Sequence, residues 1–325
     1  MMNKPPRTAL PRRQRGIALI TAILVVSIAV IAATAVLSAG SLAIQRTATL
    51  QETEKAWWYA IGVEAWVKTI LQRDAKENKY DGLSDIWAQP VDALPVEQGV
   101  LAGRIIDEQG RFNLNNFGVT DPIVRKEWQD IFTRLFEQLK LDPALALPLS
   151  EAITDWVDAD QNPTPYDGAE DNEYLALRPP AVPYRTANRL MQSVTELMAV
   201  KGINKDIYAA LLPYISALPR TDVPININTA PEALVLALEV KTSSDTQSFL
   251  KERLQKPLET PGEMQTKGLF TGPGDAKPAR LSVSSSYFQL RADASIGSSH
   301  VAIYCLFYRP SQGDPVVLAR STDSE

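Results

Sequence analysis

From Ile17 to Ile44 no residue carries a charge, and the stretch before it holds Lys4, Arg7, Arg12, Arg13 and Arg15 with no acid. A helix rises about 1.5 Å per residue and needs about 20 residues to cross roughly 30 Å of hydrocarbon, so Ile17–Ile44 spans a bilayer once. Cations ahead of the span keep that end in the cytoplasm and put the C-terminal bulk on the other side. An ordinary secretory signal has an apolar core of about 7–15 residues closed by small residues. This stretch is longer and rich in Val and Ile. A plain anchor explains the hydrophobicity but not the order Arg15-Gly16-Ile17-Ala18-Leu19-Ile20 at its start.

Beyond the span, Ala56, Trp57, Ala60, Ile61, Val63, Val67, Ile70 and Leu71 recur at three- and four-residue steps, so the helix is expected to continue to about Arg73. Glu64 and Lys68 stand as an i,i+4 pair on its other side. Trp57, Trp58 and Trp66 are read as packing against a globular head. Val100–Ile106, Tyr287–Ala292 and Val301–Tyr308 read as strands, the last two joined by Gly297-Ser298-Ser299. The roughly 170 residues between the first strand and the last two are too many for a loop and predict an inserted domain. Asp121-Pro122, Ser150, Ser193-Val194-Thr195-Glu196, Asn204 and Thr229-Ala230-Pro231-Glu232 carry helix-start signals, giving six to eight helices. Asn113-Leu114-Asn115-Asn116 and Asn226-Ile227-Asn228 are read as turns and caps at the seams. The fold class is α+β: a long N-terminal helix on a small antiparallel sheet, with a large all-α domain inserted between the first and last strands. The divisions are a leader at 1–16, a span at 17–44, the first part of the head at 45–112, the insertion at 113–282 and the last strands and tail at 283–325.

One segment carries site chemistry. Between Asp155 and Tyr174 stand seven carboxylates, broken by Pro163, Pro165 and Gly168. Calcium takes six to eight oxygens in flexible geometry, and a loop folding carboxylates and carbonyls onto one point supplies them. Asp158, Asp160 and Asn162 match positions 1, 3 and 5 of an EF-hand loop, but position 6 is Pro163 and position 12 is Ala169, so the loop has another shape. The side-chain ligands assigned are Asp158, Asp160, Glu170 and Asp171, with Asp155, Asn162 and Asp167 in reserve. A solvated acidic loop is the other reading.

Enzyme signatures are missing: no GxxxxGK[ST], GxGxxG or GxSxG occurs, and one histidine (His300) with one cysteine (Cys305) excludes the usual zinc sites. Cys305 sits in Val301-Ala302-Ile303-Tyr304-Cys305-Leu306-Phe307, the pattern of a buried strand. Leu197–Ile203 with Asn226–Ala230 resembles helix-hairpin-helix modules. The chain, however, has 38 acidic against 33 basic residues and no basic stripe, which excludes nucleic acid as a partner.

The boundary at Gly16-Ile17, a basic leader ending in Gly before an unbroken apolar helix, resembles the type III signal of type IV pilins and type II secretion pseudopilins. The resemblance implies cleavage between Gly16 and Ile17 by a prepilin peptidase and methylation of the new Ile17 amine. Major pilins carry Glu at the fifth mature position, where it pairs with the amine of the preceding subunit. Here that position is Thr21, which suits a first subunit with no amine above it, since an unpaired carboxylate buried there would be costly. With its length, the chain resembles the K-type minor pseudopilins of the type II secretion system. That resemblance implies a non-enzymatic subunit, single-pass in the inner membrane with its C-terminal domain in the periplasm. It would stand at the pseudopilus tip, help to start assembly and serve export of folded proteins across the outer membrane. Its implied partners are the I- and J-type minor pseudopilins and the major G-type subunit, and its implied cofactor is calcium, one ion or two. A minor pilin at the tip of a type IV pilus and a membrane-anchored calcium-dependent enzyme are the alternatives.

Overall fold

The computed structural model describes residues 14–238, 243–263 and 278–322. The leader through Arg13 lies outside them. The first element, α1 (Gln14–Glu77), is one unbroken helix of 64 residues. It runs four residues past the expected end. Its apolar half, Ile17 to Ile44, is exposed along its length, and this helix alone among the described residues is long and apolar enough to cross a membrane. Its other half is amphipathic: Ala56, Ala60, Val67 and Leu71 are buried at four- and seven-residue steps.

The chain then forms β1 (Val91–Val96) and β2 (Gly99–Asp107). The next residues to join their sheet are β7 (Tyr287–Ile296), β8 (Ser299–Tyr308) and β9 (Val316–Ser321). The order is β1-β2-β7-β8-β9 and every pairing is antiparallel. The sequence reading had the three central strands and missed both edges. Their burial explains why: β1 and β9 are largely exposed and lack the alternation that Phe288, Leu290, Ala292, Ala294 and Ile296 give β7. Cys305 is fully buried in β8, as its apolar setting implied.

Between β2 and β7 lie β3 (Phe112–Asn113), α2 (Pro122–Gln138), α3 (Ala146–Val157), α4 (Asp171–Leu175), α5 (Lys205–Leu211), β4 (Ile215–Ser216), β5 (Ile225–Asn226), α6 (Glu232–Ala237), α7 (Ser243–Glu252) and β6 (Leu281–Ser282). They build their own core from Phe112 to Val283, around Phe112, Phe117, Trp128, Phe132 and Phe136, whose rings stand 4.9–5.8 Å apart. The second core, of Ala56, Ala60, Val67, Leu71 and Trp87 with β2, β7 and β8, shares none of these residues. The insertion thus has a core of its own, and Leu218 and Val223 of it pack on Tyr287, Leu306 and Tyr308 of the sheet.

Several local expectations need correction. The insertion is not purely helical: β3 pairs with β4 and β5 with β6, each in parallel. Asp121 and Asn204 cap α2 and α5 as read, each accepting two backbone N–H groups. Helix α3, however, begins at Ala146, leaving Ser150 inside it, and Ser193 caps a 3-10 turn instead of an α-helix. Thr229 does not cap α6, because its hydroxyl donates to buried Asp107 at 2.6 Å. Glu64 pairs with Arg320 of β9 at 2.7 and 2.8 Å, not with Lys68. A bidentate guanidinium brought by the sheet replaces the helical neighbour. Trp58 and Trp66 are 64% and 49% exposed, so of the three tryptophans Trp57 packs on the head.

The asparagines reach further than turns. Asn113, Asn115 and Asn116 are buried and bond backbone groups of Met191, Leu218, Arg220 and Val223. Asn226 bonds Asp107 and Ser285, and Asn228 bonds Leu258 through both its amide and its carbonyl. An amide offers two donors and an acceptor with two lone pairs, which lets one side chain satisfy a strand end that no ladder covers.

Candidate metal centre

Helix α3 ends in the acidic segment. Asp158 takes the C-cap position with extended backbone, its N–H still bonded to Thr154 O at 2.9 Å, and the chain turns away. The loop is held to α3 by two acids of that helix. Glu151 accepts Tyr166 N–H at 2.8 Å, and Asp155, fully buried, accepts Thr164 N–H at 3.1 and 3.2 Å. The return path passes Gly168, where a Cβ would lie 2.2 Å from Asp155 Oδ2 and 2.4 Å from Thr164 N. Gly168→Ala is therefore expected to destabilise the loop by about 1–3 kcal/mol, the usual range for overpacking. Chemical unfolding of the variant beside the wild type checks this. Behind the loop the rings of Trp156, Tyr174 and Tyr184 pack 5.1–6.3 Å apart.

This path brings Asp158, Asp160 and Glu170 together, each offering an oxygen within 4.8 Å of the others. Two oxygens on opposite sides of a calcium ion, each at about 2.4 Å, are about 4.8 Å apart, so the three fit one coordination sphere. Asp158 Oδ1 and Glu170 Oε1 are buried and accept no hydrogen bond, and Glu170 is 3% exposed. Burial, and then the mutual repulsion of these acids with Asp155, pushes Asp158 up to about 6 and Glu170 up to about 7. Orphaned acceptors of like charge at one point are what a hard cation would satisfy.

The fourth assigned ligand stands elsewhere. Asp171 accepts the backbone N–H and the hydroxyl of Thr186 at 3.0 and 2.9 Å and pairs with Arg185 at 2.9 Å. Among the reserves, Asn162 donates to Asp160 through its backbone and side chain at 2.8 and 2.9 Å, Asp167 pairs with Lys201 at 2.9 Å, and Asp155 is engaged by the loop backbone. Sequence reasoning took Gly168 only as a break in the acidic run and missed Thr186. A glycine within a run of acids is a signal of close approach. Thr186, whose hydroxyl also lies 3.5 Å from Glu170, had no signal because its partners stand well upstream.

A second acidic group, Asp74, Asp81 and Asp85, lies at the far end of α1. Arg309 already fills it, with Nη1 donating to Asp74 Oδ2 at 2.8 Å and Nη2 to Asp81 at 2.5 and 2.6 Å.

Against known proteins, residues 110–220 match the family model described as type II secretion system protein K. Type II secretion system protein K of Aeromonas hydrophila is 36% identical over 95% of this chain and 97% of its own length. The chain belongs to the protein K family of the type II secretion system. The Pseudomonas aeruginosa protein K is 33% identical over 95% of this chain and 93% of its own. A chain in the crystal structure of the GspK-GspI-GspJ complex from enterotoxigenic Escherichia coli superposes with a TM-score of 0.70 at 27% identity, covering 86% of this chain and all of that one. Membership of the K family makes this chain a minor pseudopilin of the secretion system, with the α+β architecture expected for one.

Proposed function

We propose that this minor pseudopilin stands at the tip of the pseudopilus, anchored in the inner membrane by Ile17–Ile44 with its two packed bodies in the periplasm. There it helps to start assembly with I- and J-type partners ahead of the major G-type subunit, and it serves export of folded proteins without catalysing a reaction. The observation that carries the reading is where the insertion attaches. Strand β2 begins beside the β7–β8 turn, whose Ser298 bonds Glu52 of α1, and ends at Asp107, beside the junction formed by Arg309 with Asp74 and Asp81. The inserted body therefore leaves the sheet at the end away from the apolar span, the end on which a subunit above this one would stand.

Thr21 supports the same placement. Its hydroxyl donates to Ile17 O and Ala18 O, both at 3.0 Å, within its own helix. It asks for no partner, whereas a glutamate would ask for an amine. Thr21→Glu is expected to lower secretion in a complemented strain more than Thr21→Val does; equal secretion by both would remove the argument from Thr21.

Asp158, Asp160 and Glu170 would hold calcium, which would neutralise their charge and order the loop between α3 and α4. The residues fit the ion by the two orphaned buried oxygens and by their spacing. The experiment for the function is deletion of the gene: exported proteins accumulate in the periplasm and surface piliation is unchanged. Lost piliation with normal secretion would favour the pilus reading.

A further inference from the structure

Three buried carboxylates meet where the inserted body joins the head, and one buried cation serves them. Asp74 lies in the last turn of α1, Asp81 just beyond that helix, and Asp107 ends β2 as the chain leaves for the insertion; they are 8%, 1% and 5% exposed. Arg309 donates to Asp74 and Asp81, and no other cation bonds any of the three among the described residues. Asp74 also accepts Asn78 Nδ2 at 2.8 Å. Asp107 has no cation but four donors: Gln109 N–H, Asn226 Nδ2, Thr229 Oγ1 and Ser285 Oγ. Asp81 accepts, besides Arg309, Ser285 N–H at 2.7 Å. Asp85 stands nearby but turns to Gly82 N–H and Trp87 Nε1, at 2.8 and 3.3 Å. Ser285 thus bridges Asp81 and Asp107. Like charges this close in a dry site cannot both ionise cheaply, and two interacting acids titrate as a pair. Burial pushes both above the usual carboxylate range, and Asp107 adds to the rise that takes Asp81 to about 7.

The same side chains tie the insertion to the head. Asn226 and Thr229, ahead of α6, both reach Asp107, and Asn226 also donates to Asp81 O at 3.2 Å. Gln109 spans from Pro224 O to Ser286 N–H at 3.2 and 2.6 Å. Beside these bonds the contact is apolar, Leu218 and Val223 against Tyr287, Leu306 and Tyr308. Apolar contact has no preferred direction whereas hydrogen bonds do, so the acid pair sets how firmly the joint is closed. We propose that the joint is a proton-operated latch: with one proton on the Asp81–Asp107 pair the insertion is held to the head, and when that proton leaves, water enters and the insertion loosens about the apolar contact. Linkage gives the direction. In the opened joint both acids meet water and titrate near 4, so closing takes up a proton between about pH 4 and pH 7. The closed joint is firmest below that window, weakens through it, and is weakest above it with no further change. Opening should become roughly eightyfold more frequent from pH 5 to pH 8, most of it below pH 7.

Hydrogen exchange of the full chain in nanodiscs between pH 5 and pH 8, corrected for the base catalysis of exchange itself, tests the latch. The amides to follow are those of Ser285 and Ser286, which bond Asp81 and Gln109 across the joint. In the wild type their protection should fall roughly eightyfold over this range, and at each pH it should stay well below that of Leu290 and Cys305 in the central strands, the mark of local opening. In Asp81→Asn, which has no proton to lose, the protection should be the same at pH 5 and pH 8. A wild-type profile that is flat with pH overturns the latch whether or not the variant folds. Protection at Ser285 equal to that at Leu290 would mean that the joint opens only when the whole protein unfolds, and also overturns it. So does a loss that persists in Asp81→Asn, which would belong to other acids such as Asp158 and Glu170.

Discussion

Calcium added to chelated full-length protein is expected to raise its unfolding temperature, and Asp158→Asn with Glu170→Gln to abolish the rise. A ligand held only by the folded state stabilises by RT ln(1 + [L]/Kd), about 2.7 kcal/mol at a hundredfold excess over Kd. The acids that stand orphaned without a cation are the ones that would gain. The cation-free protein should also respond to acid in an unusual direction. Asp158 and Glu170, pushed up to about 6 and about 7, hold protons in the folded state that the unfolded chain releases near pH 4. Their contribution to stability is therefore present below the unfolded value and is lost as pH rises through about 4 to 7. Without calcium this contribution makes the protein more stable at pH 5 than at pH 7.5; with saturating calcium the difference shrinks or reverses, since protons compete with the ion. Thermal melts at the two pH values, with and without chelator, decide it. An unchanged melting temperature on adding calcium to metal-stripped protein would reduce the cluster to a solvated loop.

The other large effect is expected at Arg309. This guanidinium, buried at the end of β8, bonds Asp74 and Asp81, donates to Ser285 O at 2.8 Å and stacks 4.6 Å over Phe288. It is the cation at the junction of the two bodies, where Asp107 also lies fully buried, accepting from Gln109 N–H, Asn226, Thr229 and Ser285. Removing one partner of a buried pair leaves the other charge unpaired and costs about 3–5 kcal/mol. Arg309→Met should destabilise by that order. Burial already pushes Asp81 up to about 7 with Arg309 in place, and loss of the cation raises it further. The penalty is accordingly largest above neutrality and shrinks as pH falls and Asp81 takes a proton. Urea unfolding at pH 5 and pH 8 measures both; a loss below about 1 kcal/mol at pH 8 would show that the junction does not hold the bodies together.

Much of this was legible beforehand because the signals were local. The apolar span, the amphipathic continuation of α1 and the alternation of β7 and β8 each declare themselves within a few turns or pleats. The acidic loop did too, and three of the four assigned ligands meet in space. What was illegible depends on distant neighbours. Asp171 was taken by Thr186 and Arg185, Glu64 by Arg320, and Thr229 by Asp107, partners that the fold supplies. The edge strands β1 and β9 pair on one side only and bury little, so neither composition nor period marked them. Trp66 was read as head packing because tryptophan is usually buried; its exposure followed from the helix covering only part of the sheet.

The most direct measurement is where the chain sits on the filament. An epitope inserted beside Val182, exposed in the inserted body, can be labelled with gold on pseudopili assembled by overproducing the major subunit. The account predicts label at one end of each pseudopilus and nowhere along its length. Label repeating along the filament would mean that the inserted body does not keep other subunits from standing above this one, and would contradict the tip placement.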